Sequence, residues 1–239
     1  MMVVISQPRY LPVISYLQRL AFADVFVLFD TVQRQSRGWE NRNKLLLPEP
    51  KWLTIPISSS SREIIRRTRV RDAEWVSKHK RSIFHFYHKH PYFNAEYLEK
   101  YYDDVEKMIR NGNDRFADII EKTLYNLGEI FGFSPRIVRA SSFETDAIRQ
   151  ATGPHKLLEI CKELKADTYV SGENGRVYGV NEAFAGSGIN VKYHPSDTLR
   201  YDQPGRKKFV PYMGFFDALF CIGRDALARE IRRPPLLQD

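Results

Sequence analysis

The first thirty residues constrain the fold more than any other stretch of the chain. Met2 to Ser6 is apolar on successive residues, Ile14 to Phe22 places Ile14, Leu17, Leu20 and Ala21 at helical spacing, and Val25 to Phe29 is apolar again. Strand, helix and strand in so short a span predict a βαβ unit, with parallel strands and a right-handed crossover. Unbroken apolar runs, rather than alternating ones, are expected where a strand is covered on both faces. Gln7-Pro8 ends the first strand and opens a loop to Pro12, and Asp30 sits at the end of the second strand.

Further along, Lys44 to Leu47 and Trp52 to Ile57, separated by Pro48-Glu49-Pro50, predict a β-hairpin, and the prolines place it at a sheet edge. The Ser58–Ser61 run reads as a connection. From Asp72 to Phe131 the pattern is helical, three helices broken near His90-Pro91 and at Asn111-Gly112-Asn113, with Asp72 or Asn94 as N-caps. The last third alternates again. Arg136–Arg139, Thr168–Val170 and Ile189–Tyr193 read as strands, while Pro154–Leu164 and a stretch from Arg176 to Ala185, ended by Gly186, read as helices. Phe215 to Ile231 reads as a terminal helix stopped by Pro234-Pro235. The predicted fold class is α/β: a mostly parallel, Rossmann-like sheet with helices on both faces, an edge β-hairpin and a helical insertion. Residues 1–60 and 134–239 would form the site-bearing core, and 61–133 the insertion, packed with it as one globular unit.

At 239 residues the chain can bury a large core without disulfides, and its two cysteines, Cys161 and Cys221, fall among apolar neighbours as core residues do. Apolar runs such as Val25 to Phe29 are far short of a membrane span, and no basic n-region opens the chain, so a cytoplasmic protein with no transmembrane segment is expected. The net charge of +8 points to an anionic partner. Residues 62 to 90 carry net +6 of it, in Arg62, Arg66, Arg67, Arg69, Arg71, Lys78, Lys80, Arg81 and Lys89 against Glu63, Asp72 and Glu74. This charge is expected on a helical region away from the loop that follows Asp30. No nucleic-acid module accompanies it, which disfavours nucleic acid as the partner. His85 and His88 would share a helix face, yet the surrounding Phe84, Phe86 and Tyr87 and the break at Pro91 argue against a metal site, and none is assigned.

No Walker A sequence, Gly-x-Gly-x-x-Gly turn or Gly-x-Ser-x-Gly elbow is present. Two polar segments stand where parallel α/β sheets bind ligands, beyond the carboxyl ends of strands. One is Gln7-Pro8-Arg9-Tyr10-Leu11-Pro12, which leads into a helix N-terminus able to offer N–H groups to an anion. The other is Asp30 followed by Gln33, Arg37, Trp39, Asn41, Arg42 and Asn43. There Arg37 and Arg42 can clamp a phosphate or carboxylate, Trp39 can stack, Asn41 and Asn43 can read hydroxyls or amides, and Asp30 can act as general base. A third segment, Ser171-Gly172-Glu173-Asn174-Gly175 with Tyr178 beyond it, combines a strand end with glycines. Capped loops with surface charges, and a plain tight turn at 171–175, are the alternatives.

At these residues the sequence resembles the WbqC-like protein family. The resemblance is carried by Gln7-Pro8-Arg9-Tyr10-Leu11-Pro12, Tyr16, Ala23-Asp24-Val25-Phe26-Val27, Asp30, Val32-Gln33 and Trp39-Glu40-Asn41-Arg42-Asn43. It continues at Tyr169-Val170-Ser171-Gly172, Tyr178, Tyr201-Asp202-Gln203, Asp217, Leu219-Phe220 and Gly223. Val13 stands where the family usually has Trp, and Ser15 where it has Gly. The resemblance implies a transferase that modifies a nucleotide- or lipid-linked amino sugar, by aminoacyl or glycine transfer among the options, in O-antigen or other surface-polysaccharide biosynthesis. The partner would then be a phosphorylated or nucleotide-linked small molecule, Asp30 the catalytic residue, and Gln7, Tyr10, Gln33, Arg37, Trp39, Asn41, Arg42, Asn43, Ser171, Gly172, Tyr178 and Gln203 the substrate contacts. No cofactor is indicated. Two other classes stay open: a non-catalytic protein binding nucleic acid or anionic lipid, and an ATP-dependent ligase or nucleotidyltransferase, although the His-x-Gly-His signature of the latter is absent.

Overall fold

A computed structural model describes the whole chain except Pro48, Ser59–Ser61, Glu144, Asp197–Thr198 and Pro235–Leu236. The first half runs β1 (Met2–Ser6), α1 (Ile14–Phe22), β2 (Val25–Leu28), β3 (Arg42–Leu47), β4 (Glu49–Thr54), α2 (Glu74–Tyr87), α3 (Glu96–Tyr101), α4 (Val105–Arg110) and α5 (Phe116–Phe131). The second half runs β5 (Ile137–Arg139), α6 (Asp146–Gln150), α7 (Gly153–Glu163), β6 (Thr168–Gly172), α8 (Val180–Phe184), β7 (Asn190–His194), α9 (Phe215–Ile222) and α10 (Arg224–Ile231).

Five strands form one parallel sheet in the order β5-β2-β1-β6-β7. Its two faces follow from strand alternation. Val4, Phe26 and Leu28 pack with Leu17 and Leu20 of α1, Ile120 and Leu124 of α5, Phe216 and Leu219 of α9 and Leu227 of α10. Val3, Ile5, Val25 and Val27 point the other way, onto Ile148, Leu158, Ile160 and Phe184 of α6, α7 and α8. The unbroken apolar runs thus reflect a sheet covered on both sides, as expected. Trp75, Ile83, Leu98 and Val105, from α2 to α4, share the first of these cores. The chain builds the sheet outward from β1 to β2 and β5, then returns on the other side as β6 and β7. The strand order therefore reverses between β1 and β6, the topological switch point of open α/β sheets.

Four differences from the sequence expectation have identifiable causes. The β3–β4 hairpin is a separate two-stranded sheet, not an edge of the parallel one; the Leu46 amide donates to the Tyr87 hydroxyl of α2 at 3.0 Å, which docks β3 on the helical layer. Pro48 of its connection, like Ser59–Ser61 and Pro235, lies outside the described residues. The helical segment holds four helices, because Asp104 at φ +59° ends the turn between α3 and α4. Asp72 and Asn94 are not the N-caps, which are Ala73 and Ala95; they stand one residue earlier and accept from the amides of Glu74 and Glu96, at 2.9 and 2.8 Å. The third difference is that two expected helices are each divided at a glycine: the C-terminal one at Gly223, and the 176–185 one at Gly179, φ +68°, into a 3₁₀ stretch and α8.

The fourth difference concerns charge. The Arg62–Arg71 stretch precedes α2 and, apart from one 3₁₀ turn, is extended. It is stitched to the loop after β2, through Arg34 N–Glu63 O at 2.9 Å, Ile65 N–Val32 O at 3.0 Å and Arg66 N–Asp30 O at 2.8 Å. Basic segment and Asp30 loop are neighbours, because an extended edge pairs its backbone with the nearest extended partner.

Candidate functional site

A cleft opens at the switch point, above the carboxyl ends of β1, β2 and β6. One lobe has a volume of about 760 Å³ and a second, against α1, about 350 Å³. Arg9, Arg19, Trp39, Glu173, Asn174 and Ser196 line both lobes.

The β1–α1 loop is held from several directions. Tyr10 N donates to Glu40 O at 2.9 Å, Phe215 N to Pro12 O at 3.1 Å, and the Tyr16 hydroxyl to Gln7 O at 3.1 Å. Leu11 carries a left-handed φ of +46°, which a branched side chain adopts only when its surroundings over-determine it. They do so here: Leu11 N donates to the Tyr101 hydroxyl at 3.2 Å, and Leu11 O accepts from the Asn43 side-chain amide. Tyr10 is fully buried, its hydroxyl against His79 Nδ1 at 2.7 Å and against Tyr102. Burial holds His79 down at about 4, so the ring is neutral at neutral pH. A loop clamped this firmly presents Arg9 to the cleft in a fixed place.

Two guanidinium groups dominate the cleft's electrostatics. Burial lowers the pKa of Arg19, and also that of Arg9, the latter offset in part by Glu40 and Tyr16. Arg19 hangs over Tyr16, 5.6 Å from its centroid, with Nε donating to Ser15 O at 3.3 Å. Among the described residues no carboxylate lies within ion-pair reach of either arginine. A Cβ on Gly172 would come 3.2 Å from Arg19 Nη1, so the glycine at the end of β6 is what lets the guanidinium lie against that strand. Unpaired, desolvated cations are costly for a fold to hold, and an anion is what would offset that cost.

One cleft wall is aromatic. The Trp39 and Trp52 centroids are 4.9 Å apart, with Arg42 4.1 Å above Trp52 and Lys44 5.0 Å from it. Across from it, the 173–178 turn brings Tyr178, 67% exposed, to the mouth. Glu173 is the one acidic side chain among the described residues lining either lobe, and its Oε2 accepts from Ser196 N at 3.2 Å. Ala151, Thr152 and Gly153, at the N-terminal end of α7, with Lys156, close the far side.

The sequence candidates divide accordingly. Gln7, Trp39, Ser171, Gly172 and Tyr178 line the larger lobe, and Tyr10, Trp39 and Asn43 the smaller. Asn43 is committed to Leu11 O and to its neighbour's amide, Lys44 N, at 2.7 Å. Asp30 lies elsewhere. It is fully buried, and its carboxylate accepts from Ser141 N at 2.9 Å and Ser141 Oγ at 2.6 Å, tying β2 to the segment after β5. Asn41 is spent on Ile55 O at 2.8 Å. Arg42 is spent on Gly38 O at 3.1 Å, on Arg37 O and on the Trp52 ring. Arg37 and Gln33 are exposed and do not line the cleft, Arg37 with φ +58°. Gln203 belongs to a different cavity, 2.8 Å from Asp217.

Arg9 and Glu173 stood in the candidate segments 7–12 and 171–175 without a role of their own, and Arg19 fell outside them. Arg19 carried a usable signal: it is the one charge in Ile14–Phe22, a helix buried on most sides, where a cation needs a use.

The molecule is thus an α/β protein with a polar cleft at the switch point of a parallel sheet. The chain belongs to the WbqC-like protein family, whose model matches residues 7–229. It is similar to the uncharacterized protein Rv1507c of Mycobacterium tuberculosis (strain ATCC 25618 / H37Rv), 27% identical over 231 residues that cover 94% of this chain and 95% of that one. No solved structure matches the chain.

Proposed function

We propose that the protein is a transferase that binds a phosphorylated or nucleotide-linked amino sugar in the switch-point cleft, in the service of surface-polysaccharide biosynthesis. The observation that carries the reading is the Arg9–Arg19 pair, two desolvated guanidinium groups on one cleft, with no acidic partner in ion-pair reach among the described residues. Guanidinium forks match the oxygens of phosphate or diphosphate bidentately. Trp39 supplies a face for a base or sugar ring, and Gln7, Ser171, Asn174 and the backbone at Gly172 supply hydrogen-bonding groups around it. Glu173 takes the general-base role in place of the buried Asp30, since it lines the cleft and, among the described residues, one amide holds its carboxylate.

The test is a melting-temperature screen of the full chain against nucleotides, nucleotide sugars with free and acylated amino groups, and acyl donors. Ligands carrying a diphosphate should stabilise the wild type and lose that effect in Arg9→Gln and Arg19→Gln. Mass spectrometry on the stabilising sugar should show group transfer that Glu173→Gln abolishes while binding persists. Stabilisation independent of the phosphate, or transfer untouched by Glu173→Gln, would contradict the reading.

A further inference from the structure

A second cavity, of about 570 Å³, lies away from the switch point, between the end of α2, the 203–206 turn and α9. Glu49, Phe86, His90, Arg206 and Asp217 are in its wall. Arg206 Nη1 lies 3.5 Å from the exposed Glu49 carboxylate, and its Nη2 is buried without a hydrogen-bond partner among the described residues. Asp217 is different. It is 1% exposed, and three neutral donors hold it: the Tyr87 hydroxyl at 2.8 Å, the Tyr201 hydroxyl at 2.7 Å and Gln203 Nε2 at 2.8 Å. No ion pair reaches it among the described residues. A carboxylate has about four lone-pair sites, so roughly one is left over.

Burial raises the Asp217 pKa, and its three donors and His90 pull the other way. The titratable groups facing it are Tyr87 at the end of α2, His90 just beyond, Tyr201 and, on its own helix, Cys221. Burial in turn lowers His90, so little cationic charge stands opposite the carboxylate at neutral pH. A buried acid with hydroxyl donors and no cation in ion-pair reach among the described residues, in a cavity that Phe86 also lines, is the arrangement that an alkylammonium group completes.

We propose that this cavity is a second binding site, taking a small primary amine whose ammonium group pairs with the Asp217 carboxylate. The site does not depend on what the switch-point cleft binds. The volume lies within the range of small-molecule pockets, ample for an amino sugar. Binding keeps Asp217 ionised, so amine affinity rises with pH as the carboxyl loses its proton.

The experiment is a calorimetric titration of the full chain with D-glucosamine and with N-acetyl-D-glucosamine, which differ in whether the nitrogen carries charge. Glucosamine should bind at least about tenfold more tightly, the scale of one charge-assisted hydrogen bond, and Asp217→Asn should erase the preference. A carbon-13 titration of the Asp217 carboxyl in the wild type gives a readout that needs no variant: glucosamine should lower its midpoint. Equal binding of the two sugars, binding of neither, a preference that survives in Asp217→Asn, or an unmoved midpoint would each overturn the proposal.

Discussion

Replacing Asp30 separates a structural carboxylate from a catalytic one. In the fold its two oxygens take Ser141 N at 2.9 Å and Ser141 Oγ at 2.6 Å, in a fully buried position. Asp30→Ala removes both bonds and leaves a buried amide without a partner. Hydrogen bonds to a charged group are worth about 1.5–3 kcal/mol each, but the desolvation cost of the carboxylate is recovered in the variant, so the expected net loss is about 2–4 kcal/mol. For a chain of this size 1 kcal/mol corresponds to roughly 2–4 °C, which places the melting point about 5–15 °C lower. Asp30→Asn keeps one acceptor for Ser141 N and should lose about half as much. Differential scanning calorimetry measures both, and ligand stabilisation measured below the lowered melting point should persist. An Asp30→Ala protein that melts like the wild type but no longer binds or transfers would refute this assignment and restore Asp30 to the chemistry.

Other consequences can be checked with the same preparations. His79 and His194, both buried, are lowered from 6.5 to about 4, so the unfolded chain binds protons that the fold refuses. Their contribution to stability is complete above pH 6.5 and is lost as pH falls towards 4, by up to about 3 kcal/mol for each; in His79→Asn, acid unfolding by circular dichroism should lose part of that slope, and an unchanged slope would count against it. Arg42→Ala should cost about 1–2 kcal/mol through the lost Gly38 bond and Trp52 contact while anion binding is kept, the reverse of what a phosphate clamp would show. Gly223→Ala places a Cβ 2.8 Å from the Tyr92 ring at φ +84°, and should destabilise by at least about 1–3 kcal/mol in chemical denaturation. If the basic 62–90 segment instead tracks nucleic-acid phosphates, binding to an oligonucleotide should weaken about 10³-fold or more between 50 and 200 mM salt, whereas a small-ligand cleft gives a shallow dependence.

The sheet was legible because doubly covered parallel strands must be apolar on successive residues, and Val3–Ile5 and Val25–Leu28 are. The cleft at the switch point was legible as a candidate site, since β1 and β6 end where strand order reverses, and Gln7, Trp39, Ser171, Gly172 and Tyr178 line it together. What failed was the assignment of individual polar side chains. Asn41, Arg42 and Asp30 look like ligand groups in a list of residues, but each satisfies a buried backbone group or caps a turn. Such hydrogen bonds join residues as far apart as 30 and 141, and local spacing carries no trace of them. Arg19 was missed for the opposite reason. Its place as the one charge in Ile14–Phe22 marks it out, but only the tertiary fold shows that its turn faces the cleft, with no acid in ion-pair reach among the described residues.

The central claim, that the cleft is built around an unpaired guanidinium, is tested most directly by Arg19→Gln. Removing a desolvated cation that has no ion-pair partner among the described residues should leave the unliganded melting point unchanged or higher, while calorimetric affinity for pyrophosphate falls by about tenfold to a hundredfold, the loss of one or two charge-assisted hydrogen bonds. A variant that melts markedly lower, or one that binds pyrophosphate as the wild type does, would contradict the account.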